Sequence, residues 1–353
     1  MELLFASNNE IVGINNTRLV RLNSNLKIVA KGDFVFKSIF SRFSIFRRLF
    51  REQIYSKVLI SGNEIVASNG SDLILVNLED LTCKIIDTPK SFKKSLDLNV
   101  ISINGIPHLI YSNYSQNQAL RPLKIYVAPV DDLNSYRKYS EFNAELINHI
   151  HSYVQDPKNE DLYISVGDID KTSGIWKINK ESNHMLPILV DGQKYRSVIL
   201  EWVNGEIVLI NDCPSADNYL FKIQFTDGIN FAIKRIGKIN GPCIYSSRIG
   251  SKIYFSSCIE PPRQTLLMKI LPFWVMKQRS ILYEYDPVSS TLKELTNGSK
   301  DFLNPYLFGF GTFKFALHSN KSKLLYTSFH GMKKTLSRTN IVKLESNIVS
   351  IKV

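Results

Sequence analysis

Two histidines separated by one residue carry the densest acid–base chemistry in the sequence. His149 and His151 lie in the segment INHIHSYVQ, whose apolar and aromatic residues are typical of a β-strand. Side chains two positions apart on a strand share one face, so we expect both rings on the same side of a sheet. Such a pair can bind a metal ion, transfer protons or hydrogen-bond to a ligand. Two histidines do not complete a metal site, so the sequence predicts ligand contact and neither a bound metal nor another cofactor.

Three acidic residues and one arginine lie where an apolar run meets a polar turn. Asp168, Asp212 and Glu260 follow such runs, and Arg196 precedes the run SVILEW. The planar guanidinium fork matches a carboxylate or phosphate, so we predict that Arg196 holds an anionic group. Asp168 and Glu260 are the candidate acid–base pair for glycoside hydrolysis, and Asp212 joins Arg196 and the histidines in binding substrate. The alternative is that Asp168 and Glu260 only cap turns.

Short strands joined by tight turns are the elements that must position these residues. Runs of Ile, Val, Leu, Tyr and Phe are bounded by Asn-Gly, Ser-Gly or Asp-Gly, as in KVLISGNEIVASNGSDLILVN, which is typical of β-hairpins. Similar segments recur at roughly 45 to 60 residues, a spacing that fits propeller blades. We therefore predict an all-β chain in which residues 1–353 form a single β-propeller domain of six or seven blades. A pair of β-sandwiches is the structural alternative. The predicted blades begin near Met1, Ile54, Leu96, Ala144, Arg196, Ile239 and Pro305.

Two segments, near residues 34–55 and 262–279, depart from this pattern and are predicted to be amphipathic insertions. In the first, Ile39, Phe43, Phe46 and Phe50 recur at helical spacing among several arginines. The second, PRQTLLMKILPFWVMKQR, is apolar with basic flanks. Such elements suit an anionic membrane surface. The interpretation we favour at this point is that each packs its apolar face on the propeller or on a second subunit.

One predicted blade resembles the BNR/sialidase-like propellers. The segment DPKNEDLYISVGDIDKTSGIW is similar to their blade signature at Asp156, Pro157, Leu162, Tyr163, Gly167, Asp168, Gly174 and Trp176. The resemblance covers this blade and implies a propeller fold with a carbohydrate ligand. In such segments the aspartate and tryptophan stabilise a hairpin, so Trp176 is expected in the core. The Asp-box spacing, the Arg-Ile-Pro motif and the arginine triad of sialidases are missing, so sialidase activity is not implied.

Composition narrows the class of protein further. The 353 residues carry a formal net charge of +12, which favours anionic partners. No phosphate-binding loop, nucleophile elbow or HExxH motif occurs, and no nucleic-acid-binding motif is present, so we predict no nucleic-acid partner. The start lacks the pattern of a signal peptide, and the four cysteines lack metal-ligand spacing, which together predict a cytoplasmic protein, at most peripheral to the inner membrane.

These observations favour a propeller that binds or processes a carbohydrate. The predicted ligand is an anionic or lipid-linked bacterial surface polysaccharide or its precursor, and a glycosidase-like step is one interpretation. The alternative is a non-catalytic propeller scaffold that binds a protein partner. Fold alone cannot separate the two. Convergence of the predicted site residues in one place would favour a small-ligand site.

Overall fold

The predicted all-β propeller fold is confirmed by a computed structural model, in which strands account for 56% of the chain and helices for 5%. The structure describes residues 1–36, 42–114, 117, 121–143, 147–179, 182–226, 230–260, 278–319, 322–333, 340–344 and 348–352. These residues form seven sheets, each containing four strands in antiparallel, blade-like order. By its internal contacts the chain divides into two compact units. The prediction of one domain over residues 1–353 therefore stays a prediction.

The second unit comprises Ile54–Asn77 and Lys84–Arg235 and carries the predicted site. It contains four sheets, except that Cys83 at the start of β8 and residues 236–239 at the end of β20 belong to the first unit. Their strands are β5 (Ser56–Ser61), β6 (Glu64–Ser68), β7 (Leu73–Asn77) and β8 (Cys83–Ile86); β9 (Leu98–Ile103), β10 (Ile106–Ser112), β11 (Leu123–Pro129) and β12 (Arg137–Phe142); β13 (Ile150–Gln155), β14 (Leu162–Val166), β15 (Gly174–Ile178) and β16 (Met185–Val190); and β17 (Ser197–Val203), β18 (Glu206–Asn211), β19 (Asn218–Phe225) and β20 (Phe231–Ile239).

The first unit comprises Met1–Gln53, Leu78–Cys83 and Ile236–Val353. Its sheets contain β1 (Glu2–Ala6), β2 (Glu10–Asn15), β3 (Arg18–Asn23) and β4 (Ile28–Phe34); β21 (Cys243–Ile249), β22 (Lys252–Ser257), β23 (Arg279–Asp286) and β24 (Thr291–Ser299); and β25 (Thr312–Phe315), β27 (Leu325–His330), β28 (Asn340–Leu344) and β29 (Ile348–Lys352). The short strand β26 (Leu317–His318) pairs in parallel with β1, so that Phe5 lies opposite Leu317. Two short helices, α1 (Ser44–Leu49) and α2 (Pro305–Phe308), complete this unit.

Tight turns join strands within the blades, and most of the predicted blade beginnings agree with the structure. The Asn104-Gly105 pair connects β9 to β10, and both residues have positive φ angles, 53° and 79°. Asparagine and glycine tolerate this backbone region, which matches the twist of a tight hairpin. The predicted beginnings at Ile54, Leu96 and Arg196 precede β5, β9 and β17 by one or two residues. Ala144 lies outside the described residues.

The beginning predicted near Pro305 differs from the structure, because a helical turn precedes β25. Asn304 caps α2 by accepting a hydrogen bond from the backbone N–H of Tyr306, at 2.9 Å, and Pro305 occupies the first turn. A proline suits that position because its missing N–H would have no helical partner. The local sequence therefore favours a turn of helix before the strand.

The hydrophobic core of the second unit lies between successive sheets. Ile125 of β11 and Ile164 of β14 belong to one fully buried cluster, and Ile175 of β15 and Ile207 of β18 belong to the next. Apolar side chains on facing sheets thus hold adjacent blades together. Polar side chains such as His149, Asp168 and Arg196 lie just outside the strands, where the apolar runs end.

The first predicted insertion lies between β4 and β5, and the apolar face of α1 does not pack on the propeller as one half of the favoured interpretation held, whereas packing on a second subunit stays a prediction. In α1 and the residues next to it, Phe43, Phe46 and Phe50 are 58%, 38% and 57% exposed. Arg48 instead points inward and donates to the Asp301 carboxylate at 2.6 Å and to the Phe308 carbonyl at 2.8 Å. Ion pairing with a buried carboxylate therefore takes the arginine face of α1 onto the protein.

Neither described helix is long and apolar enough to cross a membrane. Ile39 lies outside the described residues, as does the second insertion up to residue 277.

Candidate functional site

A cluster of polar side chains lies where the first strand of one blade begins and the second strand ends. His149 immediately precedes β13, and His151 lies within it. The pairing of β13 with β14 shifts register between Ile150 and Ser152, which marks a bulge. The two ring centroids are 4.8 Å apart, and the Nε2 atoms are 3.0 Å apart. Both side chains are buried, so this is an interior pair of imidazoles.

Asp168 approaches the pair from the end of β14. Its Oδ2 atom lies 3.2 Å from Nε2 of His149. The backbone of Asp168 has a φ of 77°, a left-handed conformation that is strained for most residues and clusters at functional sites. Gly167 makes the approach possible, because a Cβ atom there would lie 2.2 Å from Cε1 of His151.

Arg196 and Asp212 complete the cluster from the next blade. Arg196 precedes β17, and one terminal nitrogen lies 3.1 Å from Asp168 Oδ1 and 3.3 Å from Asp212 Oδ2. The side chains of Arg196 and Asp168 are 11% and 14% exposed, and that of Asp212 is 5% exposed. The guanidinium therefore joins two carboxylates and fixes the orientation of Asp168.

Burial keeps both imidazoles neutral. It lowers the pKa of His149 to about 4, although the Asp168 carboxylate partly opposes this effect. Burial also lowers the pKa of His151, and the neighbouring His149 and Arg196 lower it further. Nδ1 of His151 lies 3.0 Å from the carbonyl oxygen of Ser197, which also accepts a hydrogen bond from the Ser165 hydroxyl at 2.8 Å. At neutral pH each ring therefore has one N–H and one lone pair.

Three residues that the sequence analysis missed extend the cluster across two further blades. The ring of Tyr114, just after β10, packs edge-on against His149 with centroids 4.4 Å apart. The Lys94 ammonium lies 5.2 Å from the Tyr114 ring centroid and 4.2 Å from that of Tyr55. Tyr55, Lys94 and Tyr114 lie next to strand ends of their blades, as do Arg196 and Asp168. That shared position is the signal that could have found them.

The remaining predicted residues lie elsewhere. Glu260 belongs to the first unit, beyond the end of β22, so its pairing with Asp168 stays a prediction. Trp176 is 7% exposed, packs edge-on against Phe142 and donates to the Thr172 carbonyl at 2.9 Å. The core position expected for Trp176 is therefore confirmed.

A groove of about 620 Å³ also lies on the second unit, beside the sheet of β9 to β12. Its walls include Asn113, Arg121, Lys124 and Glu141. None of the predicted site residues lines this groove.

Comparison with known proteins places the chain by fold alone. The sequence matches no known protein family, and no curated protein is similar to it in sequence. The structure is similar to that of a prolyl endopeptidase, at 9% identity and a TM-score of 0.54, which covers 99% of this chain and 47% of that one.

Two further similar structures have names from carbohydrate chemistry. One is a putative 6-phosphogluconolactonase from Bacteroides uniformis. It is 12% identical, with a TM-score of 0.52, and the similarity covers 99% of this chain and 94% of that one. An oligogalacturonate lyase from Vibrio parahaemolyticus is 11% identical, with coverage of 87% and 82% and a TM-score of 0.51. The BNR/sialidase resemblance is thereby supported at the level of a β-propeller fold.

Proposed function

We propose that the second unit binds an anionic oligosaccharide along the strip formed by Tyr55, Lys94, Tyr114, His149, Asp168 and Arg196. The observation that carries the proposal is the unbroken series of contacts between these side chains, which come from four successive blades. Convergence of this kind favours a small-ligand site over a protein-binding scaffold, whose contacts would be spread over a rim.

The chemistry of the strip suits a sugar that carries a negative charge. Aromatic rings such as those of Tyr55 and Tyr114 pack against the apolar faces of sugar rings. Asp168 and Arg196 offer paired acceptors and donors for adjacent hydroxyl groups. Lys94 supplies positive charge for a carboxylate or phosphate, whereas the charge of Arg196 is balanced by Asp168 and Asp212. The two similar folds named for a phosphogluconolactone and for oligogalacturonate agree with this chemistry as analogies only.

Catalysis belongs to the same proposal. Asp168 is the group we assign to an acid–base step. Mass spectrometry of oligosaccharides incubated with the protein tests this step. New products that disappear in Asp168→Asn support it, and unchanged substrates limit the protein to binding.

Calorimetric titration with oligogalacturonates and with neutral malto-oligosaccharides of equal length tests the binding site. We expect binding of the charged series only, weakened about 10-fold or more by Lys94→Gln, since hydrogen bonds to charged groups contribute roughly 1.5–3 kcal/mol. Lys138→Gln, an exposed lysine of the same unit, is the matched control. Equal binding of the two series, or equal effects of the two substitutions, would contradict the proposal.

A second function, contact with an anionic membrane surface, is favoured by the exposed apolar face of α1. Ile45 and Leu49 are 46% and 37% exposed alongside the three phenylalanines, and Leu307 of α2 is 53% exposed. Arg42 and Arg51 flank this face and are also exposed. Aromatic residues beside arginines suit a headgroup interface, and the net charge of +12 favours anionic lipid. The proposed location is the cytoplasmic side of the inner membrane.

Co-sedimentation with vesicles of phosphatidylglycerol or of phosphatidylcholine tests this second function. We expect binding to the anionic vesicles, reduced about 10-fold or more by Phe46→Ser with Phe50→Ser, because burial of one phenylalanine contributes roughly 1.5–3 kcal/mol. Val288→Ser is the control, since Val288 is 74% exposed in a turn of the same unit. A dimer that the double substitution dissociates would overturn the membrane assignment in favour of a second copy.

A further inference from the structure

We propose that His149, His151 and Asp168 bind one divalent transition-metal ion. The sequence analysis predicted no metal because two histidines leave the ligand set incomplete. The fold adds the third ligand, since Asp168 approaches from a different strand. One ligand atom from each residue lies within 4.8 Å of the others, and this is a group among the described residues that could hold an ion.

Two of the three separations between ligand atoms match those of adjacent ligands around a single ion, and the third pair lies within 4.8 Å. With bonds of about 2.1 Å, neighbouring ligand atoms are roughly 3.0 Å apart in octahedral geometry and roughly 3.4 Å apart in tetrahedral geometry. The Nε2 atoms of His149 and His151 are 3.0 Å apart, and His149 Nε2 lies 3.2 Å from Asp168 Oδ2. Both pairs of atoms therefore fit adjacent positions in one coordination sphere without movement of the strands.

The hydrogen positions can be assigned from the neighbours of each ring. Nδ1 of His151 faces the Ser197 carbonyl, an acceptor, so Nδ1 carries the hydrogen and Nε2 has a free lone pair. Nε2 of His149 faces that lone pair and the Asp168 carboxylate, so it carries the hydrogen that both accept. Nδ1 of His149 is then a buried lone pair with no hydrogen-bond partner among the described residues.

An ion at this position would replace the hydrogen shared by the three ligand atoms. His149 would then coordinate through Nε2 and carry its hydrogen on Nδ1. His151 needs no change, because the Ser197 carbonyl already selects the tautomer that presents Nε2. Such outer hydrogen bonds are the usual support for metal-binding imidazoles.

The carboxylate ligand has comparable support. Arg196 holds Asp168 Oδ1 at 3.1 Å, which leaves Oδ2 for the ion. Gly167 leaves the space that the His151 ring occupies. The ligand atoms of His151 and of Asp168 are therefore oriented by neighbours outside the ligand set. An aspartate that only capped a turn would need neither the Arg196 nor the His149 contact of Asp168.

The ligand set indicates the class of ion. Two imidazoles and one carboxylate suit zinc and similar first-row dications, whereas magnesium and calcium prefer oxygen ligands. Three protein ligands leave positions open for a substrate oxygen. This substrate role rests on the proposed function, in which the open positions would take a sugar hydroxyl or carboxylate.

Zinc titration of chelator-treated protein without an affinity tag tests the site, in the absence of any sugar. We expect one equivalent of Zn²⁺ to bind about 100-fold or more tightly than Mg²⁺. His151→Gln and Asp168→Asn should each weaken zinc binding about 10-fold or more. His184→Gln is the matched control, because His184 is an exposed histidine of the same unit. In ¹⁵N-labelled wild-type protein, zinc should move the His149 hydrogen from Nε2 to Nδ1, a readout that needs no variant.

The outcomes separate this inference from the proposed function. Zinc binding that survives both substitutions, or no shift of the His149 nitrogens, overturns the metal site. Oligosaccharide binding that persists in EDTA, with no zinc binding, overturns the metal site and leaves the sugar site standing. Zinc binding as expected without any oligosaccharide binding supports the metal site and overturns the sugar site alone.

Discussion

Replacing Gly167 with alanine should disrupt the polar cluster through a single methyl group. The new Cβ atom would lie 2.2 Å from Cε1 of His151 and 2.9 Å from both ring nitrogens. Carbon atoms in contact are normally about 3.5–4.0 Å apart, so the buried ring would have to move by more than 1 Å. Overpacking costs about 1–3 kcal/mol, and the lost hydrogen bond to Ser197 adds about 1 kcal/mol. We expect a total of about 2–4 kcal/mol.

Urea denaturation of Gly167→Ala and of Gly62→Ala measures this effect. Gly62 lies in the turn between β5 and β6, and a Cβ atom there meets nothing within 4 Å, so its substitution should be nearly neutral. In a His151→Ala background the ring is gone, and Gly167→Ala should then cost at least about 1 kcal/mol less. Equal stability of the two single variants, or the same cost in both backgrounds, would refute the assigned contact between Gly167 and His151.

Other predictions concern buried charge. Burial raises the pKa of Asp97 to about 7, although hydrogen bonds from the Tyr153 N–H and the Ser152 hydroxyl oppose this shift. The folded state then holds a proton that the unfolded state releases near pH 4, so this residue's contribution to stability falls between about pH 4 and 7 and is constant above. Asp97→Asn should remove that fall, on the order of 3 kcal/mol, in denaturation curves measured from pH 4 to 8; an unchanged pH profile would contradict the buried protonated carboxyl. Asp301→Ala should cost about 3–5 kcal/mol, because it leaves the buried Lys300 and Arg48 without their shared carboxylate. Thermal unfolding of this variant, compared with that of Asp191→Ala, checks the effect. Asp191 makes an exposed ion pair, so its loss should leave the midpoint temperature of unfolding unchanged. Equal midpoint temperatures for the two variants would count against a structural role for Asp301.

Local sequence determined most of the blade pattern and only part of the site. Hairpin turns such as Asn104-Gly105 depend on two adjacent residues, so their positions can be predicted from the chain itself. His149 and His151 are close in sequence, so their proximity could be predicted, but His149 precedes β13 and a bulge follows it, so strand alternation alone does not specify the 3.0 Å contact between their Nε2 atoms. The contact of His149 with Tyr114 instead requires neighbouring blades to align, which no local pattern specifies.

The orientation of α1 shows a different limit of sequence reasoning. The helical spacing of phenylalanines and arginines correctly indicated two faces. It could not indicate which face meets the protein, because that depends on Asp301, a buried carboxylate more than 250 residues away in sequence. Arg48 of α1 pairs with Asp301, and the apolar face of the helix is left exposed.

The pairing of β1 with β26 has a consequence for how the chain is made. The second unit, between Ile54 and Arg235, has all its strands while the rest of the first unit has not yet been synthesised. One edge of β1 then lacks β26, and Glu2 lacks the Lys314 ammonium that it later meets at 2.9 Å. At about 5–20 residues per second, this edge would wait roughly 15–60 seconds on the ribosome. An unpaired strand edge can form hydrogen bonds with strands of other chains and so lead to aggregation. We therefore expect the amino-terminal blade to depend on chaperones during translation more than the central blades do.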